Sequence, residues 1–455
     1  MWGNPNHLWC LKVHLREKYP KEKLHILVAK RNTGSFTYDG IETGGERVTT
    51  EIEETLQSLE EQGERVTKIS IIGYSLGGLV ARYCVGLLHS RGWFDKLQPI
   101  NFTTFATPHL GVRTPLLGWH NHVWNIMGAR TLSMSGRQLF MIDNFRSTGR
   151  PLLSILADEN STFISGLRMF QNRSLYSNIV NDRTVAFYTS YIARHDPFVN
   201  MNAIKINYLP GSAPVILDPT NPVSRKTSQL SLNERLTGNA RTLYKRLPLF
   251  FFLIVFVPIG SVLFLINSVV QSVKSSKRIR LHEEGKLGVQ KDAYMSLPLF
   301  VNDMRRAAES AFENVTAEHA PEYLPQDSPI AVPRRGSIVS THSGYRPGSE
   351  DDQKPLLLHR KTSSSTSTIS ICEEPESMDE EEKEEEDKKD EFPTLALTPT
   401  QFKAIDVLDQ LNWKKYAVHI QQVNHTHAAI IVRMNRKAFG EGRVVLKHWM
   451  ENFDG

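Results

Sequence analysis

The chain has 455 residues, of which 40% are hydrophobic and 23% charged, and its formal net charge is +5. That length predicts two to three units with apolar residues enough for a packed core. So small a charge excess, with no zinc-finger spacing and no RNP-like run, argues against a nucleic-acid partner. Cys10, Cys84 and Cys372 are too few and too scattered for a disulfide framework, and they fit a reducing compartment.

The first residues, Met1-Trp2-Gly3-Asn4-Pro5, carry no signal peptide or Arg-rich presequence and read like the interior of a domain. Residues 1–220 then alternate between strand and helix patterns. Leu24 to Ala29 is a short apolar run of strand type, and a helical stretch runs from about Glu46 to Glu61. Val66 to Ile72 is rich in β-branched residues and predicts a strand; Leu76 to Leu88 predicts a helix. Ile100 to Phe105 and Leu175 to Val180 are further strands. Strands separated by helices predict an α/β fold with a doubly wound, mostly parallel sheet.

Residues 221–320 differ. Leu247 to Val270 runs for 24 residues without a charge, long enough to cross a hydrocarbon core, with Pro258 and Gly260 near its middle. Arg241, Lys245 and Arg246 precede it; Lys274, Lys277, Arg278 and Arg280 follow it. Residues 321–400 change again, with Ser and Thr clustered at Thr362 to Ser370 and acidic residues crowding Glu373 to Glu391. Such a block cannot bury enough apolar surface to fold, so a disordered linker is expected. Arg334-Arg335-Gly336-Ser337 matches a basophilic kinase site or is plain solvated linker. Residues 401–455 return to ordered patterns: a helix over Phe402 to Leu411, a strand over Tyr416 to Val423, and a helix over Gly442 to Phe453. A segment of that size makes a poor domain alone, so it is expected to complete the sheet begun before the apolar stretch.

The chemistry centres on Gly73-Tyr74-Ser75-Leu76-Gly77, a G-x-S-x-G run placed between a predicted strand and a predicted helix. That context is the one a nucleophile elbow requires, with Ser75 as nucleophile and small neighbours relieving the crowded turn. A serine hydroxyl needs a histidine base, and the base needs a carboxylate to fix its tautomer. In this fold the acid follows the serine in sequence and the histidine comes last. Asp182, just after the Tyr176 to Val180 run, is the candidate acid, with Asp196 second. His427 is the candidate base, with His425 second; His109 and His195 come too early or beside the wrong strand.

Together these segments resemble the fungal branch of a family of lipase-like serine esterases that includes a yeast lipid-droplet phospholipase. The matching runs are Arg31 to Gly40, Gly73 to Gly78, Phe105 to Gly111, Asn181 to Val185 and His427 to Arg433, covering about 1–220 and 400–455. The resemblance implies an α/β-hydrolase fold interrupted by the apolar segment and the acidic insertion. It also implies acyl-ester hydrolysis on glycerolipids, with Ser75, Asp182 and His427 as triad and the backbone N–H of Leu76 in the oxyanion hole. The family pattern opens with a strand ending in His-Gly, then an apolar residue, Trp and Gly; here Met1 stands at the apolar position, which supplies the second oxyanion N–H. The expectation is therefore a gene model shortened at its N-terminus.

No metal or cofactor is required by such a triad, and no H-E-x-x-H or clustered Cys/His ligands occur. If the base and the nucleophile share a site, either both ends of the apolar stretch lie on one side of a membrane or the stretch is not in a membrane. Basic flanks at both ends agree with the first arrangement, and predict a hairpin in the cytoplasmic face of the endoplasmic reticulum or in a lipid-droplet monolayer. The expected partners are thus a lipid substrate and a membrane or droplet surface. Two rival readings are an acyltransferase using the same triad and an inactive, membrane-anchored binding protein. Thr114 to Asn144, with Trp119, Trp124, Met127, Met134, Leu139 and Met141, fits either a lid or acyl channel or plain core packing.

Overall fold

The computed structural model describes residues 3–112, 133–146, 148–225, 270–281, 323 and 392–455. Two units separate, Met1–Tyr323 with Thr394–Gly455, and Leu324–Pro393. Of the second, only residues 392 and 393 are among those described.

The first unit is built on a parallel sheet whose strands run in the order β1 (Lys68–Tyr74), β2 (Gln98–Phe105), β3 (Asn172–Asn178) and β6 (Lys414–Val418). Parallel neighbours need a crossover, and helices supply it. Leu76–Ser90 connects β1 to β2, and Met134–Leu139, Leu152–Leu156 and Thr162–Met169 lie between β2 and β3. A small antiparallel pair, β4 (Ile204–Ile206) and β5 (Val223–Arg225), stands apart from this sheet. The architecture is α/β, with a mostly parallel sheet flanked by helices.

The register is anchored by an aromatic ladder. Phe105, Tyr176 and Tyr416 are direct neighbours on β2, β3 and β6. Their rings stack with centroids 4.9 Å apart at each step. Trp449 of the helix Gly440–Glu451 packs edge-on against Phe105, and the Tyr176 hydroxyl bonds His448 Nδ1 at 3.0 Å. Each such ring buries about 150–250 Å², worth roughly 4 kcal/mol or more by area. A slip of one residue in any of these strands would turn its ring to the opposite face of the sheet. The ladder thereby recruits the C-terminal strand and helix into the fold begun by residues 68–178.

Two predicted elements differ. Leu24 to Ala29 joins no ladder. It runs beside the core instead, with Leu24 and Ile26 packed against the cluster that holds Phe105 and Trp449. Its apolar residues serve packing, and β1 is the outermost strand of the sheet. The helix expected from Glu46 begins at Ile41. Gly44 and Gly45 mask its first turn in the sequence. Outside residues cap it: Ser135 Oγ accepts from the Gly40 N–H at 2.9 Å and Gln138 Oε1 from the Ile41 N–H at 2.6 Å.

A helix covers 270–281. Its buried face is Gln271, Ser275 and Arg278, one turn apart in succession. Arg278 grips the fully buried Asp39, Nη2 to Oδ1 at 2.6 Å and Nε to Oδ2 at 3.0 Å. Ser275 Oγ donates to the same carboxylate at 2.8 Å, and Arg47 reaches it from the other side at 2.8 Å. The sequence had grouped Arg278 with the basic flank, but its charge is spent inside the protein; Lys274 and Lys277 are exposed. Among the described residues no helix is long and apolar enough to cross a membrane. The 247–270 stretch, save Val270, lies outside them, as do the Arg334 to Ser337 site and the acidic run.

Candidate active site

β1 ends at Tyr74 and the next helix starts at Leu76, so the chain must reverse within one residue. Ser75 takes φ 53° and ψ −131°, a region that costs a non-glycine residue about 1–3 kcal/mol. The surroundings hold it there. Its N–H continues the sheet by donating to Phe105 O at 2.9 Å, and its carbonyl accepts from Gly78 N–H at 3.0 Å. The turn fits because two glycines touch. A Cβ on Gly73 would lie 2.3 Å from Gly78 Cα, and one on Gly78 would lie 2.1 Å from Thr107 Oγ1. Around Gly77 there is open space. The small-residue requirement thus falls on Gly73 and Gly78, whereas the motif had suggested Gly73 and Gly77.

Asp182 sits in the loop after β3. Its Oδ1 accepts the N–H groups of Thr184 at 3.1 Å and Val185 at 2.9 Å. Its Oδ2 accepts from Asn178 Nδ2 at 2.8 Å and faces His427 Nδ1 at 2.9 Å. Burial alone would raise the Asp182 pKa, but the His427 imidazole and these donors together hold it below the usual carboxylate value. The group is therefore a carboxylate near neutral pH, suited to accept from Nδ1–H. His427 Nε2 lies 3.0 Å from Ser75 Oγ. Oγ, imidazole and carboxylate form one continuous relay, with the Asp182 side chain 3% exposed and that of His427 14%.

The other residues singled out in the sequence lie elsewhere. His425 is exposed and precedes the short helix Thr426–Ala429. Asp196 caps the helix Pro197–Asn200 through Phe198 N–H at 3.0 Å, and burial raises its pKa to about 6. His109 is buried against Thr104 Oγ1 at 3.0 Å. His195 pairs through its backbone with Thr394. Leu76 opens the helix after the elbow, where N–H groups have no partner within the helix and can serve an anion. Met1 lies outside the described residues, as does most of Thr114 to Asn144. Of that stretch, Leu139 is buried beside Ile41, Leu79 and Tyr83, whereas Met134 is exposed. Asn178 escaped sequence reasoning; its signal was a polar residue four places before the acid, at the end of a strand.

Part of the chain is similar to known proteins. Residues 1–193 match the family model described as "Putative serine esterase (DUF676)". That stretch is similar to this serine esterase family. It contains Ser75 and Asp182, while His427 lies beyond the matched residues. Three fungal relatives carry lipase names. "Putative lipase ROG1" of Saccharomyces cerevisiae is 28% identical over 215 residues, 46% of this chain and 29% of the relative. "Putative lipase C4A8.10" of Schizosaccharomyces pombe is 30% identical over 192 residues, 38% of this chain and 23% of the relative. "Putative lipase YDL109C" of Saccharomyces cerevisiae is 36% identical over 129 residues, 28% of this chain and 19% of the relative. The chain thus spans less than a third of each relative's length. No solved structure gives a significant match.

Proposed function

We propose that the chain is a serine-dependent lipid acyl-ester hydrolase of the α/β-hydrolase class, with Ser75 as nucleophile, His427 as base and Asp182 as orienting acid. The observation that carries this reading is the relay from Ser75 Oγ to His427 Nε2 at 3.0 Å and from His427 Nδ1 to Asp182 Oδ2 at 2.9 Å. The strained serine at a strand-to-helix turn and the lipase names of the relatives support it.

In this mechanism Oγ attacks the ester carbonyl carbon while Nε2 takes the hydroxyl proton. The carbonyl oxygen becomes an oxyanion beside the Leu76 N–H, a donor worth about 10²–10³ in turnover at comparable sites. The intermediate collapses, the C–O bond to the alcohol breaks, and Nε2 returns the proton to the departing oxygen. Water, deprotonated by the same nitrogen, then attacks the acyl-enzyme and releases the fatty acid. Asp182 keeps its negative charge throughout and stabilises the imidazolium.

The proposed setting is a membrane or lipid-droplet surface, with residues 247–270 as a hairpin whose ends share one face. Two features support this: the stretch carries no charge, and Ser75 and His427, on its two sides in sequence, belong to one unit. The test incubates the purified full chain with phosphatidylcholine and triacylglycerol emulsions and an alcohol acceptor, beside Ser75→Ala. Free fatty acid released only by the wild type is the expected outcome. Acyl chains appearing only on the alcohol would overturn hydrolysis in favour of transfer.

A further inference from the structure

The base sits on weak local scaffolding. His427 lies in a helix of one turn, Thr426–Ala429, and helices this short are not stable by themselves. The backbone bonds around it run to the carbonyls of His425, Thr426, Ala428 and Ala429. They skip the carbonyl of His427. A half-buried carbonyl left so needs a partner from elsewhere.

That partner is Tyr74, the residue before the nucleophile. Its hydroxyl donates to His427 O at 2.8 Å. Its ring lies over the imidazole, with centroids 5.1 Å apart and planes tilted by 35°. Burial pushes the phenol's pKa up, so the hydroxyl keeps the proton it donates. The Arg433 charge acts against that rise, and its Nη2 lies 3.1 Å from His7 Nε2. Tyr74 is itself fixed as the last residue of β1, paired with Phe105. The main chain of the base is therefore tied to the sheet that carries the nucleophile.

We infer that Tyr74 is a positioning residue, whose hydroxyl and ring hold His427 at hydrogen-bonding distance from Ser75. The inference rests on the proposed role of the triad. It assigns a task to the first variable position of G-x-S-x-G: at a site 353 residues away in sequence, this side chain replaces the missing helical bond.

The test uses the full chain and a fluorophosphonate probe. Tyr74→Phe removes one oxygen and keeps the ring. The expected result is a second-order rate of Ser75 labelling about 10–100-fold below wild type, a melting temperature within a few degrees of it, and, with an ester substrate, a loss in kcat with KM unchanged. The downfield Nδ1 proton resonance of His427, assigned by its absence in His427→Gln, is expected to broaden or shift. Arg433→Met, which removes the cation whose charge acts on the phenol, is expected to slow labelling about threefold. Wild-type labelling rates in both variants, with an unmoved resonance, would overturn the assignment. If the wild type itself is not labelled, the hydrolase reading fails, and the resonance in Tyr74→Phe still decides whether Tyr74 holds the imidazole.

Discussion

At the scale of single residues, three side chains brought together from positions 75, 182 and 427 carry the account. Ser75→Ala is expected to reduce ester hydrolysis by about 10⁶-fold, to near background, because every later step depends on the acyl-enzyme. Asp182→Asn is expected to lower kcat by about 10³–10⁴-fold with little change in KM. The amide would leave Nδ1 without its carboxylate and favour the wrong tautomer; steady-state kinetics on a soluble short-chain ester would show this. Motif and setting single out Ser75, and chain order and the family resemblance single out Asp182 and His427; the folded chain brings these three side chains within hydrogen-bonding distance. Tyr74 and Asn178 were not legible in the sequence, because their roles depend on partners that only the folded chain brings near. Asn178 is four residues from Asp182, but nothing in the sequence says that its amide turns toward the acid. Tyr74 is hundreds of residues from the carbonyl it satisfies.

Elements were legible where one strand or helix carries its own pattern and illegible where a neighbour decides. The run before Ser75 was readable as a strand from its β-branched residues. Leu24 to Ala29 has the same composition but lacks a ladder, and composition cannot tell a strand from an extended core segment. The elbow itself makes a sharp prediction about its glycines. Gly78→Ala is expected to destabilise by about 3 kcal/mol, since its Cβ would overlap Thr107. Gly77→Ala, in a helix with open space around it, is expected to be neutral or to stabilise by about 0.5–1 kcal/mol. Urea midpoints of the two variants test this, and equal losses would contradict the assignment of the close contact to Gly78. The helix at 270–281 gives a second test. Arg278→Ala removes one of two guanidinium partners from the fully buried Asp39 and is expected to cost about 3 kcal/mol in urea unfolding. A variant as stable as wild type would show that this helix does not hold to the core through that ion pair.

For the molecule as a whole, the division of the sheet between residues 68–178 and residues 414–418 was anticipated from the small size of the last ordered segment. Its register was not, because the Phe105, Tyr176 and Tyr416 ladder is spread over three distant strands. The folded unit also has a collective response to pH. Burial lowers the pKa of His7 to about 4, that of His109 well below its usual 6.5, and those of His419 and His448 in the same direction. Below pH 6.5 the unfolded chain binds protons at these groups more readily than the folded chain does. Stability from this source is therefore complete above pH 6.5 and falls as pH drops toward about 4. Asp196, raised to about 6, and Asp143, also raised, act in the opposite sense, but two carboxyls oppose four histidines. The melting temperature is expected to fall from pH 7 to pH 4.5, and a rise over that range would contradict the burial of these histidines. The central claim, that distant parts of one chain activate Ser75, is tested most directly by mass spectrometry of the intact full chain after fluorophosphonate treatment. One adduct is expected, on Ser75, formed by the wild type and lost in His427→Gln. An unlabelled wild type, or an adduct on Ser75 that survives His427→Gln at the same rate, would contradict it.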